Sequence, residues 1–340
     1  MLILVDAMGG DHAPDAIVNG CIDAIIEKDG FDILLIGDSE KIKKAVEDRK
    51  FSSPRLNIRH TSEVVSGEDS PSKVIRNKKD SSMVVGFNLL KEKKGDLFLS
   101  AGNSGAMMAG ALFILGRIEG VDRPSLPAII PSKTGKALLI DAGLNTVCKP
   151  VNYLQFGIMG SIYMRELFGI QKPRVGLINV GSEESKGSDV IKQAYSLLSS
   201  SNLNFIGNTE GKDIPVGNVD VAVCDGFVGN VLLKFLEGCG SFFVGALKGI
   251  YKSNLLTKIS AIMIKKKLKE FMIQLDPDEE GGAPILGVNG LVIKSHGSSN
   301  AKTIKNVIVK RAYSLAGSNV LDQIREQFKN MEVEDVEQSE

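Results

Sequence analysis

DLFLSAGNSGAMMAGALFILG, residues 96–116, decides how this chain folds. It opens with a short apolar run at 97–99, turns through SAGNSG, and continues at 106–115 with apolar residues at helical spacing. A strand that feeds a helix through a tight glycine hinge is a β-α unit. Similar short apolar runs occupy 2–5, 33–36, 56–58, 138–140, 175–180, 219–224 and 291–293, and helical segments such as 16–26 and 231–236 lie between most of them. The alternation predicts an α/β fold: a mainly parallel open sheet with helices covering both faces.

The sequence has 340 residues, 43% hydrophobic and 24% charged, as in ordinary globular proteins. Lys and Arg number 41 and Asp and Glu 41, so no net basic field draws nucleic acid. Trp is absent and aromatics are 6%, which removes stacking platforms for single strands. Cys21, Cys148, Cys224 and Cys239 are widely spaced, form no Cys-x-x-Cys pair, and are expected to be reduced in a cytoplasmic protein. The opening MLILVDAMGGDHAP predicts no signal peptide. No window nears about 20 uninterrupted apolar residues, which predicts no membrane span. A single α/β domain is expected over 1–330, with a strand-free helical insertion at about 237–275 and the acid-rich 331–340 as a flexible tail.

Polar, glycine-rich segments follow the strands: DAMGGD (6–11), HTSE (60–63), SAGNSG (100–105), DAGLN (141–145), NVGSEESKG (179–187), DGFVGN (225–230) and HGSS (296–299). Open α/β sheets bind ligands at these carboxyl ends, and so many such loops on one edge predict a site there. The usual α/β signatures are absent: no G-x-G-x-x-G follows a strand, and neither G-x-x-x-x-G-K-[ST] nor G-x-S-x-G occurs. His12, His60 and His296 have no metal-ligand spacing, so no metal is expected.

The SAGNSG hinge contains no acid, base or thiol. Gly102, Asn103, Ser104 and Gly105 stand at a helix start, where unpaired N–H groups and the helix dipole favour an anion. A plain N-cap by Asn103 or Ser104 fits the same residues equally well. The arrangement recurs at 227–231, with Gly229 and Asn230, and at 8–14, with Gly9, Gly10 and Asp11; the repetition favours phosphate. Lys186, in the polar 179–187 loop, has the charge to neutralise phosphate or a developing oxyanion, or is a solvated loop lysine. His296 suits acid–base work near neutral pH or a structural role. Asp6, Asp141 and Asp225, each at a strand end, read as helix caps or loop anchors before catalysts.

SNLLTKISAIMIKKKLKEFMIQLD, residues 253–276, carries two apolar stripes on different helical faces. Leu255, Ile259, Ile262 and Met263 share one; Ile264, Leu268, Phe271 and Leu275 share the other. A break near 264–267 and two amphipathic helices are expected. Leu255, Leu256 and Ile259, with Lys265, Lys266 and Lys267, suit an anionic membrane surface; a dimerisation hairpin suits them too.

Seven segments in order, through about residue 321, carry a resemblance: DAMGGDHAP, SEVVSGEDSPSKVIRNKKDSSM, SAGNSGAMMAGALF, NVGSEESKG, NFIGNTEGKDI, VAVCDGFVGNVLLK and GGAPILGVNGLVIKSHGSS. The chain resembles the bacterial phosphate acyltransferases of phospholipid synthesis. At DAGLNTV it departs from that family's Gly-Ala-Asn-x-Asp, with Leu144 and Val147 in place of the Ala and Asp, so no role passes to Val147. The resemblance implies a fold similar to phosphotransacetylases and isopropylmalate-type dehydrogenases. It implies transfer of a long acyl group from acyl carrier protein to inorganic phosphate, with no metal, nucleotide or other cofactor. It also implies a homodimer at the inner face of the cell membrane, whose acyl phosphate passes to a membrane glycerol-3-phosphate acyltransferase.

Phosphate as nucleophile matches a hinge that lacks one. Residues 102–105 and the Gly229-Asn230 turn then serve as donors, Lys186 as the charge, and Asn208 and His296 as secondary candidates. Gly9, Gly10, Asp11 and Asp225 complete the expected surroundings. Two other readings stand beside it. An isopropylmalate-type dehydrogenase needs a nicotinamide site and an aspartate cluster that the sequence does not place. A non-catalytic peripheral membrane protein that delivers acyl carrier protein leaves the cradle loops idle.

Overall fold

The computed structural model describes residues 1–254, 256–257, 260, 262–267 and 282–337, excepting the side chains of Ser72 and of 332–337. Its strands are β1 (Leu2–Asp6), β2 (Asp32–Gly37), β3 (Leu56–His60), β4 (Leu97–Ser100), β5 (Ala128–Ser132), β6 (Gly135–Ile140), β7 (Val175–Ile178), β8 (Phe205–Thr209), β9 (Val221–Val223), β10 (Ala283–Pro284) and β11 (Leu291–Lys294). The helices are α1 (Asp15–Glu27), α2 (Ser39–Asp48), α3 (Pro71–Asn77), α4 (Ser82–Lys91), α5 (Ser104–Gly110), α6 (Pro150–Phe168), α7 (Asp189–Ser199), α8 (Asp213–Val216), α9 (Gly226–Lys252), α10 (Ala301–Asn306), α11 (Tyr313–Ala316) and α12 (Val320–Glu337). Every apolar run read as a strand is one, and the pairing is mainly parallel as expected.

The strands form two sheets rather than one. The first runs β10-β11-β4-β1-β2-β3 and the second β5-β6-β9-β7-β8. Among these named strands, β10 with β11 and β5 with β6 pair antiparallel and the other pairs are parallel. In the first sheet β1 is flanked by β2 and β4. In the second, β9 inserts between β6 and β7, although both precede it in sequence. Chains leaving neighbouring strands in opposite directions open a crevice at their carboxyl ends. The pairs β1/β4 and β7/β9 are where this fold opens one.

One apolar core joins the two sheets. Ile3, Val5, Leu97 and Ile293 of the first pack in the same cluster as Leu138, Ile140, Val175, Leu177 and Val221 of the second, through Tyr153, Phe156 and Tyr163 of α6 and Ile324 and Phe328 of α12. Each fully buried side chain of this size contributes roughly 1.5–3 kcal/mol. Ser125 and Leu286 exchange backbone hydrogen bonds of 3.0 Å in both directions, stitching the connecting segments together. Beneath α5, the Phe87 and Phe98 rings lie 4.8 Å apart. Gly110 and Gly86 lie against them so closely that a Cβ on either would overlap a ring. Small residues in this part of the opening stretch are therefore packing requirements, and α5 continues as a π-helical turn, Ala111–Leu115.

The helix expected within 237–275 already begins at Gly226. The helical path is interrupted at Ser253 and Asn254, where Asn254 Oδ1 accepts from Thr257 N at 2.9 Å. Residues 262–267, which include the break expected near 264–267, are helical. Leu256, Ile262 and Met263 are exposed; Leu255, Ile259, Lys269 and the rest of 268–281 lie outside the described residues. At the other end, α12 extends through Glu337, into the stretch expected as a tail.

Candidate active site

The sequence-selected residues fall into two groups, one at the carboxyl edge of each sheet. In the first group Asp6 ends β1, buried to 2% exposure. Its carboxylate accepts from Ser100 Oγ at 2.7 Å and Met8 N at 3.1 Å, and also from Ser82. Burial pushes its carboxyl above the usual range, and these hydrogen bonds pull it back. Ser100 Oγ in turn accepts from Gly102 N at 3.0 Å, so Asp6 sets the start of the hinge. A Cβ on Gly9 would lie 2.8 Å from Gly102 N and 2.9 Å from Ser100 Oγ; only glycine lets the β1 and β4 loops touch. Asp11 N donates to Gly297 O at 2.8 Å, which brings in the loop after β11.

Asn103 resolves the choice between cap and cradle for its own side chain. Its Oδ1 accepts from Ala106 N at 3.0 Å, an N-cap. Its Nδ2 donates to the carbonyls of Ser66, Gly67 and Asp69 at 3.2, 3.0 and 3.3 Å. The amide is spent on anchoring the 66–69 loop, a role that sequence reasoning missed. The first-turn amides of Ser104 and Gly105 have no acceptor within the helix, as at any helix start. His296 is exposed, and its Nδ1 accepts from Ser298 N at 3.3 Å. That contact puts the proton of a neutral ring on Nε2.

The second group is built around Asp141, fully buried at the end of β6. It accepts from Leu126 N, Leu144 N, Asn145 N and Asn145 Nδ2 at 3.1, 3.2, 2.7 and 2.8 Å. Burial pushes this carboxyl up as well. Asp225 caps α9, accepting from Val228 N at 2.8 Å and from the Tyr153 hydroxyl at 3.1 Å. Gly229 sits on the Asp141 carbonyl so tightly that a Cβ would overlap its oxygen. Asn230 follows, exposed, against Gly143 at φ +121°. The three strand-end aspartates therefore organise loops and caps, as their positions suggested.

Lys186 belongs to this edge. Asn179 Nδ2 donates to its carbonyl at 3.1 Å, and Asn208 Nδ2 donates to the Glu183 carbonyl at 2.8 Å. Asn208 thus positions the lysine loop; its Oδ1 is buried without a partner. Lys186 Nζ is half exposed, 3.9 Å from Glu183 Oε1, a loose pairing that leaves the charge available. Between the ends of β7 and β9 lies a cleft of about 260 Å³, bounded by Ile178, Asn179, Cys224 and Asp225. Nothing in the spacing of the sequence pointed to it, because its walls come from three distant segments.

Lys294 stands at the end of β11. Burial lowers its pKa, and Lys234 of α9 lowers it further. The arrangement offers backbone amides at two helix starts, a carboxamide and a lysine. Its thiols are not activated: burial pushes Cys148 up to about 12 and raises Cys224 as well, so both stay protonated at neutral pH. Among the described residues no group of three or more His, Cys, Asp or Glu side chains is arranged to hold a metal ion.

The sequence model of a family described as fatty acid synthesis protein matches residues 1–323. A phosphate acyltransferase of Acetivibrio thermocellus is 65% identical over 338 residues, spanning 99% of this chain and 99% of that protein. Another from Thermoanaerobacter pseudethanolicus is 47% identical over 331 residues, spanning 97% and 98%. Among solved structures, a phosphotransacetylase from Streptococcus pyogenes superposes with a TM-score of 0.60 at 15% identity, over 93% of this chain and 94% of that one. A branched-chain phosphotransacylase from Enterococcus faecalis gives 0.57 at 12% identity, over 94% and 100%. These structures establish the fold, the phosphotransacetylase-like one expected. The match to the family over nearly the whole chain, with relatives this similar, shows that the protein belongs to the fatty acid synthesis family that includes the phosphate acyltransferases.

Proposed function

We propose that this acyltransferase moves a long-chain fatty acyl group from acyl carrier protein to inorganic phosphate, forming acyl phosphate for phospholipid synthesis. The observation that carries the reading is the pairing of donor-rich helix starts and Lys186 with an edge whose described cysteines burial keeps protonated. An oxygen of hydrogenphosphate attacks the thioester carbonyl; the new C–O bond forms, the C–S bond breaks, and the phosphate proton ends on the departing thiol. Backbone amides at 104–105 and the Asn230 carboxamide hold the dianion and the tetrahedral oxyanion, and Lys186 offsets their charge. Removing one such donor typically costs about 10²–10³ in kcat.

The surface of α9 supports a peripheral membrane location and a homodimer. Of its 27 residues only Gly226 and Gly229 are buried, and the most apolar 18-residue window has a mean hydropathy of 1.4. Phe227, Val231, Phe235 and Phe242 are exposed along it. In this reading α9 and Lys265, Lys266 and Lys267 rest on an anionic inner membrane face, and the product passes to a membrane glycerol-3-phosphate acyltransferase. The purified protein, given acyl-acyl carrier protein and phosphate, should form acyl hydroxamate when hydroxylamine is added, in proportion to phosphate. Hydroxamate that does not depend on phosphate, or none, sinks the reading.

A further inference from the structure

Resting on the acyl transfer proposed above, we infer that the cleft between the ends of β7 and β9 seats the carboxyl-proximal methylenes of the acyl chain, and that Ile191 and Val180 set the chain-length preference. The cleft is walled by Ile178, Val180, Ile191, Val228, the Cys224 thiol and the Tyr153 ring. Most of its polar groups are already occupied. The Tyr153 hydroxyl donates to Asp225 Oδ2 at 3.1 Å, and Asp225 Oδ1 accepts from Val228 N at 2.8 Å. Asn179 donates to the Lys186 carbonyl at 3.1 Å and accepts from Val180 N at 2.8 Å. Ser188, at the α7 end, is the one hydroxyl on the wall without a capping bond. A ligand entering here therefore meets mainly apolar atoms, and a thiol that burial keeps neutral.

Position assigns the occupant. Gly187 on the wall directly follows Lys186, which sets the lysine loop beside the cleft; Asn230, two residues beyond Val228, points to a different side of α9, against Gly143. A volume of about 260 Å³ is roughly nine water-sized volumes at about 30 Å³ each, enough for part of a long chain. Val180, 82% exposed in an otherwise polar loop, marks the entrance. An acyl group whose carbonyl lies beside the Lys186 loop has this largely apolar cleft next to it.

The test compares kcat/KM for four-, eight- and sixteen-carbon acyl donors in the wild type, Ile191→Phe and Val180→Asp, with thermal unfolding as the check on folding. Each seated methylene raises kcat/KM about fourfold. The sixteen- to four-carbon ratio should therefore fall at least tenfold in Ile191→Phe and in Val180→Asp. An unchanged ratio, or losses equal at every chain length, overturns the inference. Binding of free hexadecanoate, followed by titration calorimetry, decides the point independently of turnover: Val180→Asp should weaken it at least tenfold, and equal affinity contradicts the cleft. If the wild type turns over no donor, the proposed function fails while the hexadecanoate result still judges the cleft.

Discussion

Two glycines in the same helix should respond in opposite directions to the same substitution. Gly238 of α9 is exposed, with nothing within 4 Å of where a Cβ would stand. Gly238→Ala therefore gains only helix propensity and stabilises by about 0.5–1 kcal/mol. Gly229→Ala has the same propensity gain but drives a methyl into the Asp141 carbonyl. That carbonyl cannot withdraw, because Asp141 N donates to Cys224 O at 3.2 Å and its carboxylate holds four donors at 2.7–3.2 Å. Relief requires α9 to lift, loosening the 2.7 Å bond from Gly226 N to Asn145 O and the Asp225 cap on Val228. A lost buried hydrogen bond and a lost cap cost about 1 kcal/mol each, and residual overlap adds 1 or more. Net destabilisation of roughly 1–3 kcal/mol should appear as a lower urea midpoint at unchanged slope. Activity should fall further than stability, because Asn230 moves with the helix. If both alanine variants shift the midpoint upward, the packing of α9 on Asp141 is wrong, and with it the placement of Asn230.

Lys186→Ala should lower kcat by about 10²–10³ while changing stability by less than about 0.5 kcal/mol, since its side chain is half exposed and loosely paired; parallel losses in both would make it a structural lysine. Asp122 gives a pH signature. Its carboxyl is held below the usual range, first by donation from Asn152 at 2.8 Å and then, against a burial cost, by Lys149, Arg123 and Arg117. A depressed folded pKa means stability that is present above the unfolded value of about 3.9 and lost as pH falls through the folded one. Asp122→Asn should therefore be less stable than wild type at pH 6, with the gap closing below about pH 3; a gap that persists in acid refutes the assignment. Asp6 and Asp141 work in the opposite sense, their raised pKa values giving a contribution present in acid and lost as pH rises through the folded pKa. Replacing Lys265, Lys266 and Lys267 by Glu should release the protein from anionic vesicles in flotation while solution turnover survives, and undiminished flotation returns that segment to a dimer contact.

The strands legible in the sequence were those with compact apolar runs between turn residues. β5 escaped because AIIPS carries Pro131, β8 because FIGNT breaks its apolar run with Gly207 and polar ends, and β10 because it has two residues, one a proline. The division into two sheets was not legible at all. Local periodicity marks a strand but not its neighbours, and the insertion of β9 between β6 and β7 is a long-range choice. The site divides the same way. Glycine-rich loops announced the carboxyl edges, and the aspartates at strand ends proved to be anchors. That the Asn103 amide is spent on the 66–69 loop, that Tyr153 reaches Asp225, and that a cleft opens beside Lys186 all depend on residues brought together from far apart in the chain.

The central claim is that phosphate itself is the nucleophile and that the protein forms no covalent acyl intermediate. Rapid mixing of stoichiometric protein with acyl-acyl carrier protein, with free thiol followed over the first turnover, tests it directly. The account expects no thiol release until phosphate is added, and then release in step with acyl phosphate. A burst of thiol approaching one equivalent per chain without phosphate would contradict it.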